Sequence, residues 1–165
     1  MPDAHTDAAS PPQVDAASSM LDMQAFFPYR LAVLADAVSR TIAELYAQRF
    51  SLTRHEWRVL VALANSERTT ARDVAVYSTL DKMQVSRAVD GLEKRGLLVR
   101  GEGRADRRTK QLKITPAGRA LFGKIVPMVK ERQDWLLAVL SAEERAVLDS
   151  AMDRVLARAR EILPD

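Results

Sequence analysis

Two groups of side chains in this 165-residue sequence have the types and spacing to bind a polyanion. Lys82, Gln84, Ser86 and Arg87 fall within six residues of one another, and Arg104, Arg107, Arg108 and Lys110 crowd a short stretch after them, with Asp106 in their midst. Arginine and lysine suit guanine edges and phosphates, and glutamine can pair bidentately with adenine. An arginine on a loop also suits a narrow minor groove, where the potential is most negative. Charge distribution agrees. Residues 81–119 hold eleven Lys/Arg against five Asp/Glu, while residues 1–22 hold four Asp and no Lys or Arg, within a net charge of +3. A dense basic stretch bounded by nearly neutral sequence suggests a polyanionic partner.

The elements needed to position these groups can be read from periodicity. Leu31, Leu34, Val38, Ile42 and Leu45 recur at helical spacing, which predicts a helix over 28–49 with Pro28 in its first turn. Thr53 and Glu56 form a capping box ahead of Trp57, Leu60, Val61 and Ala64. Thr70 and Asp73 suggest a weaker cap before a short helix over 71–78. The next helix, 81–95, turns Val85, Ala88, Val89 and Leu92 inward, keeps its polar groups near the N-terminal end, and stops at Gly96. The N-terminal end of such a helix also presents unpaired N–H groups to phosphate. The period then becomes two: strands over 97–100 and 110–114 enclose the polar loop GEGRADRRT. Thr115 and Pro116 open a long helix carrying Leu121, Ile125, Met128, Trp135 and Val139, with a bend expected at Pro127. Ser141 and Glu144 cap a last amphipathic helix to about Ile162.

Helix, short helix, helix, strand, basic loop, strand is the order of a winged helix-turn-helix. The expected fold is mainly α with a small β-hairpin wing. Residues 1–22 are read as a disordered tail, 51–115 as the winged helix-turn-helix DNA-binding domain, and 23–50 with 116–165 as dimerisation helices. The long apolar stripes exceed what one such domain covers, so each should bury against a second copy.

Other chemistries lack their residues. No cysteine is present, which excludes thiolate metal sites, disulfides and thiol redox sensing, and the two histidines, His5 and His55, are no local ligand pair. There is no glycine-rich phosphate loop and no nucleophile motif, so neither an enzyme nor a cofactor is expected. No run of eighteen apolar residues and no secretory leader pattern occurs, and the chain is read as a cytoplasmic protein without a membrane partner.

SLTRHEWRVLVAL, VSRAVDGLEKRGLLVR and DRRTKQLKITPAG resemble the multiple-antibiotic-resistance regulator (MarR) family of bacterial transcription factors. The resemblance covers roughly residues 28–160. It is most specific at Asp106, at Arg108 and in the strand ending Leu112-Lys113-Ile114-Thr115-Pro116-Ala117-Gly118. It implies a homodimer bound to a palindromic operator on double-stranded DNA, with Arg108 in the minor groove oriented by Asp106. It also implies a repressor released by a small, often aromatic, ligand. For an aromatic carboxylate or its CoA thioester the candidate residues are Phe26, Phe27, Tyr29 and Arg30 at the start of the first helix, with Trp57 on the second. The competing reading is a constitutive or architectural DNA-binding protein with no effector.

Overall fold

In the computed structural model, the described residues are 21–66, 69–102 and 110–163. The chain divides into two compact units, residues 1–37 and 38–165. In the first, a turn over 23–25 leads into helix α1 (Phe27–Phe50), which begins in this unit and ends in the second. Arg30 N donates to Phe26 O at 3.1 Å, so the helical ladder starts at Phe26. Leu31, Val33 and Leu34 on the first turns of α1 are exposed.

The second unit is built from capped helices around a three-stranded sheet. Helix α2 (Arg54–Ala64) opens on the expected capping box: Glu56 N donates to the Thr53 hydroxyl at 3.1 Å and Thr53 N donates to Glu56 Oε2 at 2.8 Å. Helix α3 (Ala71–Ser78) opens on the same reciprocal box between Thr70 and Asp73, so this cap is complete rather than weak. The two hydrogen bonds from Thr70 hold the Asp73 carboxyl below its ordinary range. Helix α4 (Lys82–Lys94) has Asp81 as its N-cap, and Gly96 follows it with φ 68°, as its place after the helix predicts.

Strands β2 (Leu98–Glu102) and β3 (Lys110–Ile114) pair antiparallel, with Leu98 opposite Ile114 and Glu102 opposite Lys110. A third strand, β1 (Thr69–Thr70), joins the other side of β3, giving the order β1-β3-β2. The hairpin expectation lacked it because two residues cannot display an alternation. Helix α5 (Pro116–Leu137) runs continuously across Pro127 and ends before Val139, and helix α6 (Ala142–Arg160) completes the chain.

The core gathers Val59, Leu60 and Leu63 of α2, Val74 of α3, Val85, Val89 and Leu92 of α4, Leu98 of β2, Leu112 and Ile114 of β3, and Ile125 of α5. Each such side chain contributes roughly 1.5–3 kcal/mol on burial. Beside them Trp57 stacks with two rings, Tyr46 at 5.4 Å and Phe122 at 5.7 Å between centroids. Burial pushes the Tyr46 phenol up against the opposing pull of the Arg54 and Arg58 charges.

Two sets of hydrogen bonds join the ends of these elements. Arg95 donates to the carbonyls of Phe50 (2.8 Å) and Ser51 (3.0 Å), tying the end of α4 to the end of α1. Thr115 N donates to Leu97 O at 3.1 Å and its hydroxyl donates to Gly96 O at 2.7 Å, while accepting from Gly118 N. Helix α6 differs from the rest: none of its residues is buried, and Val147, Leu148, Met152, Val155 and Leu156 stand exposed at helical spacing. No helix among the described residues is long and apolar enough to cross a membrane.

Candidate nucleic-acid interface

Helix α4 separates two faces. Val85, Ala88, Val89 and Leu92 are buried, whereas Lys82, Met83, Ser86, Arg87 and Lys94 are exposed. At 3.6 residues per turn, Met83 and Arg87 lie one turn apart on the side opposite the buried row. The two faces follow from the spacing of the valines and Leu92, and the outward cations from their exclusion from that row.

Gln84 has a different place from the one its type suggests. Its backbone N–H donates to Asp81 Oδ1 at 2.8 Å, and its own Oε1 accepts from Asp81 N at 3.1 Å. The side chain folds back to close the capping box and is half-buried. The amide oxygen keeps a second lone pair, and Nε2 takes no part in the cap. The D-x-x-Q spacing of Asp81 and Gln84 carried the signal for this cap.

Of the wing candidates, Lys110 is exposed at the first position of β3. Arg104, Asp106, Arg107 and Arg108 lie outside the described residues. The described part of the hairpin is joined to α4 by a side chain that sequence reasoning passed over. Arg100 on β2 donates one guanidinium nitrogen to Asp90 and the other to Glu93, both on α4. The hydrogen bond to Asp90 holds the guanidinium further into its charged form. The signal was the pair of carboxylates at i and i+3, on one flank of the helix.

Of the four ligand candidates, three lie on the first turn of α1 and Trp57 on α2. Phe27 and Arg30 are exposed and Tyr29 half-buried on the first turn of α1. Trp57 is half-buried and stacks with Tyr46 and with Phe122. A groove of about 490 Å³ lies instead between the second half of α1 and α5, lined by Leu45, Arg49, Met128, Glu131, Arg132 and Trp135. Arg132 Nη1 donates to Thr41 O at 3.1 Å, and its guanidinium stands 6.0 Å from the Trp135 ring centre. Arg49 meets the Met128 sulfur at 3.9 Å, a weak acceptor that leaves its fork available to an anion. Among the described residues no group of His, Asp and Glu is placed to hold a metal ion.

A short helix and turn leading into a capped helix with an exposed, basic N-terminal half, backed by a hairpin with a basic flank, define a winged helix-turn-helix DNA-binding unit. A model of the MarR family matches residues 50–109. The HTH-type transcriptional regulator FarR of Neisseria gonorrhoeae is 31% identical over 98 residues, covering 59% of this chain and 67% of that protein. The homoprotocatechuate degradative operon repressor of Escherichia coli is 24% identical over 110 residues, covering 67% of this chain and 74% of that one. A solved MarR/EmrR family transcriptional regulator from Acinetobacter sp. ADP1 superposes with a TM-score of 0.78 at 21% identity, over 86% of this chain and all (100%) of that chain. BpsR of Bordetella bronchiseptica, solved to explain regulation of its DNA binding by 6-hydroxynicotinic acid, gives a TM-score of 0.65 at 24% identity, over 76% of this chain and 98% of its own. The chain belongs to the MarR family: it is a DNA-binding transcriptional regulator and not an enzyme.

Proposed function

We propose that the chain acts as a homodimeric repressor that leaves a palindromic operator when a small aromatic carboxylate binds. The observation that carries the dimer is α6, whose apolar stripe stays exposed among the described residues. A 19-residue helix with no buried residue is marginal by itself and needs a second surface. A two-fold dimer sets two recognition helices about 34–36 Å apart, one helical turn of DNA. On this reading residues 51–115 read the DNA, with Lys82, Ser86 and Arg87 in the major groove and Lys110 beside the wing residues Arg104, Asp106, Arg107 and Arg108. Residues 23–50 and 116–165 hold the dimer together.

The effector reading is supported by the groove between α1 and α5. Its volume of about 490 Å³ falls in the range that holds drug-sized ligands and is small for a whole CoA thioester. Leu45, Met128 and Trp135 offer apolar walls, and Arg49 offers a bidentate partner for a carboxylate. BpsR has its DNA binding regulated by 6-hydroxynicotinic acid, and the E. coli repressor is named for a homoprotocatechuate degradative operon, both aromatic acids in line with that chemistry. Phe27, Tyr29 and Arg30 at the start of α1 stay as alternative candidates, as does Trp57 on α2. An effector acts only through differential affinity for the shape that does not fit DNA; a 100-fold preference supplies roughly 2.7 kcal/mol per site.

The test is a titration of aromatic acids into a preformed complex with a duplex selected from random sequence. Release by an acid from the wild type, and its loss in Arg49→Ala with DNA binding retained, is the expected result. Loss in Arg30→Ala instead moves the site to the start of α1. A complex that no acid releases supports the constitutive reading. Binding itself should weaken at least threefold between 50 and 200 mM salt, on the order expected for several phosphate contacts.

A further inference from the structure

Met83 is the exception on the outer face of α4. Its neighbours there are polar or charged, yet its thioether chain is 61% exposed, one turn ahead of Arg87 and opposite the buried row. Nothing in the fold uses it. Gln84, the residue whose type best suits adenine, is folded back onto Asp81. The outer face of the helix therefore carries an exposed apolar side chain next to the residue whose amide closes the cap.

We infer that Met83 is a specificity-determining residue that reads a thymine by packing against its C5-methyl group. This rests on the assignment of α4 as the recognition helix. The thymine methyl is the apolar feature of the major-groove edges of the bases. Methionine is unbranched and polarisable, so it adapts to a methyl without demanding one rotamer. Four residues of helix rise about 6 Å, and base pairs rise about 3.4 Å, so this thymine lies within about two base pairs of the base that Arg87 contacts. Removing the Met83 side chain from water drives the contact, and a side chain that is 61% exposed is available for it.

The experiment starts from duplexes enriched by the full-length protein from random sequence. Each thymine in the enriched half-site is then replaced singly by deoxyuridine, which removes only the methyl group. One position should weaken wild-type binding about three- to tenfold per half-site, the amount one buried methyl group supplies. Met83→Ala should bind the thymine duplex that much more weakly and show no further loss with deoxyuridine there, while Met83→Leu retains the discrimination. Affinity for random DNA and the salt dependence should be unchanged in all three proteins. If every deoxyuridine duplex weakens wild type and Met83→Ala by the same factor, or if Met83→Ala weakens operator and random DNA equally, Met83 reads no base and the inference falls while operator binding stands. If no duplex is enriched over random sequence, operator recognition itself fails, and this inference with it.

Discussion

Replacing Gly118 by alanine would set a Cβ 2.1 Å from the Leu97 carbonyl oxygen and 2.8 Å from Ile114 Cγ1. The closest ordinary carbon–oxygen contact is about 3.3 Å, so the first turn of α5 and the start of the wing hairpin must part by about 1 Å. The obstacle is backbone and has no rotamer to escape into. The same separation stretches the bonds from Thr115 N to Leu97 O and from Thr115 Oγ1 to Gly96 O, now 3.1 and 2.7 Å. Overpacking costs about 1–3 kcal/mol and a damaged helix cap about 1 more, so Gly118→Ala should destabilise by about 2–4 kcal/mol. For a chain of this length that lowers the melting temperature by roughly 4–16 °C. The control lies in the same helix. A Cβ at Gly123 meets nothing within 4 Å, so Gly123→Ala should stabilise by up to about 1 kcal/mol through helix propensity alone. The assay is urea unfolding of both variants at one protein concentration, because a dimer's stability depends on concentration. A Gly118→Ala protein as stable as wild type would refute the close approach and the anchoring drawn from it.

Trp57→Ala removes two ring stacks and a half-buried indole, and should cost about 3 kcal/mol in urea unfolding; an additive effect with Phe122→Ala would show that the rings do not interact. Arg100→Ala breaks partly exposed ion pairs and should cost at most about 1 kcal/mol of stability, yet should weaken DNA binding in a filter or anisotropy assay; unchanged affinity would deny the bridge any part in positioning. The lowered Asp73 pKa has a definite sign. A carboxyl depressed on folding stabilises above its unfolded pKa of about 4, and that contribution fades as pH falls through the lower folded value. Wild type should therefore exceed Asp73→Asn in urea midpoint at pH 7 and lose that lead in acid; a gap constant down to pH 3 would count against the cap.

Local rules recovered what is local. Thr53–Glu56 and Ser141–Glu144 are capping boxes in the sequence and in the structure, and the inward row of α4 is the row its period marks. The same cap rule, applied to Asp81 and Gln84, marks Gln84 as the residue that closes the cap of α4. Met83 was passed over because polarity, not direction, was used to choose the residues that face DNA. The groove had no local signature, since Leu45 and Arg49 meet Met128 to Trp135 only through tertiary packing. Strand β1 was invisible for a similar reason: Thr69 and Thr70 are a strand only because Leu112 and Gln111 lie beside them.

The fork from Arg100 to Asp90 and Glu93 removes a degree of freedom. A hairpin pinned to α4 at two carboxylates one turn apart has little independent swing against that helix. On the proposed reading, α4 in the major groove and the strand that leads to the wing then move as one lever arm. A rotation of about 10° at a pivot about 20 Å away carries such an arm about 3.5 Å, roughly one base-pair rise. A small hinge motion is thus enough to put both readers out of register together, with neither needing to unfold or bend.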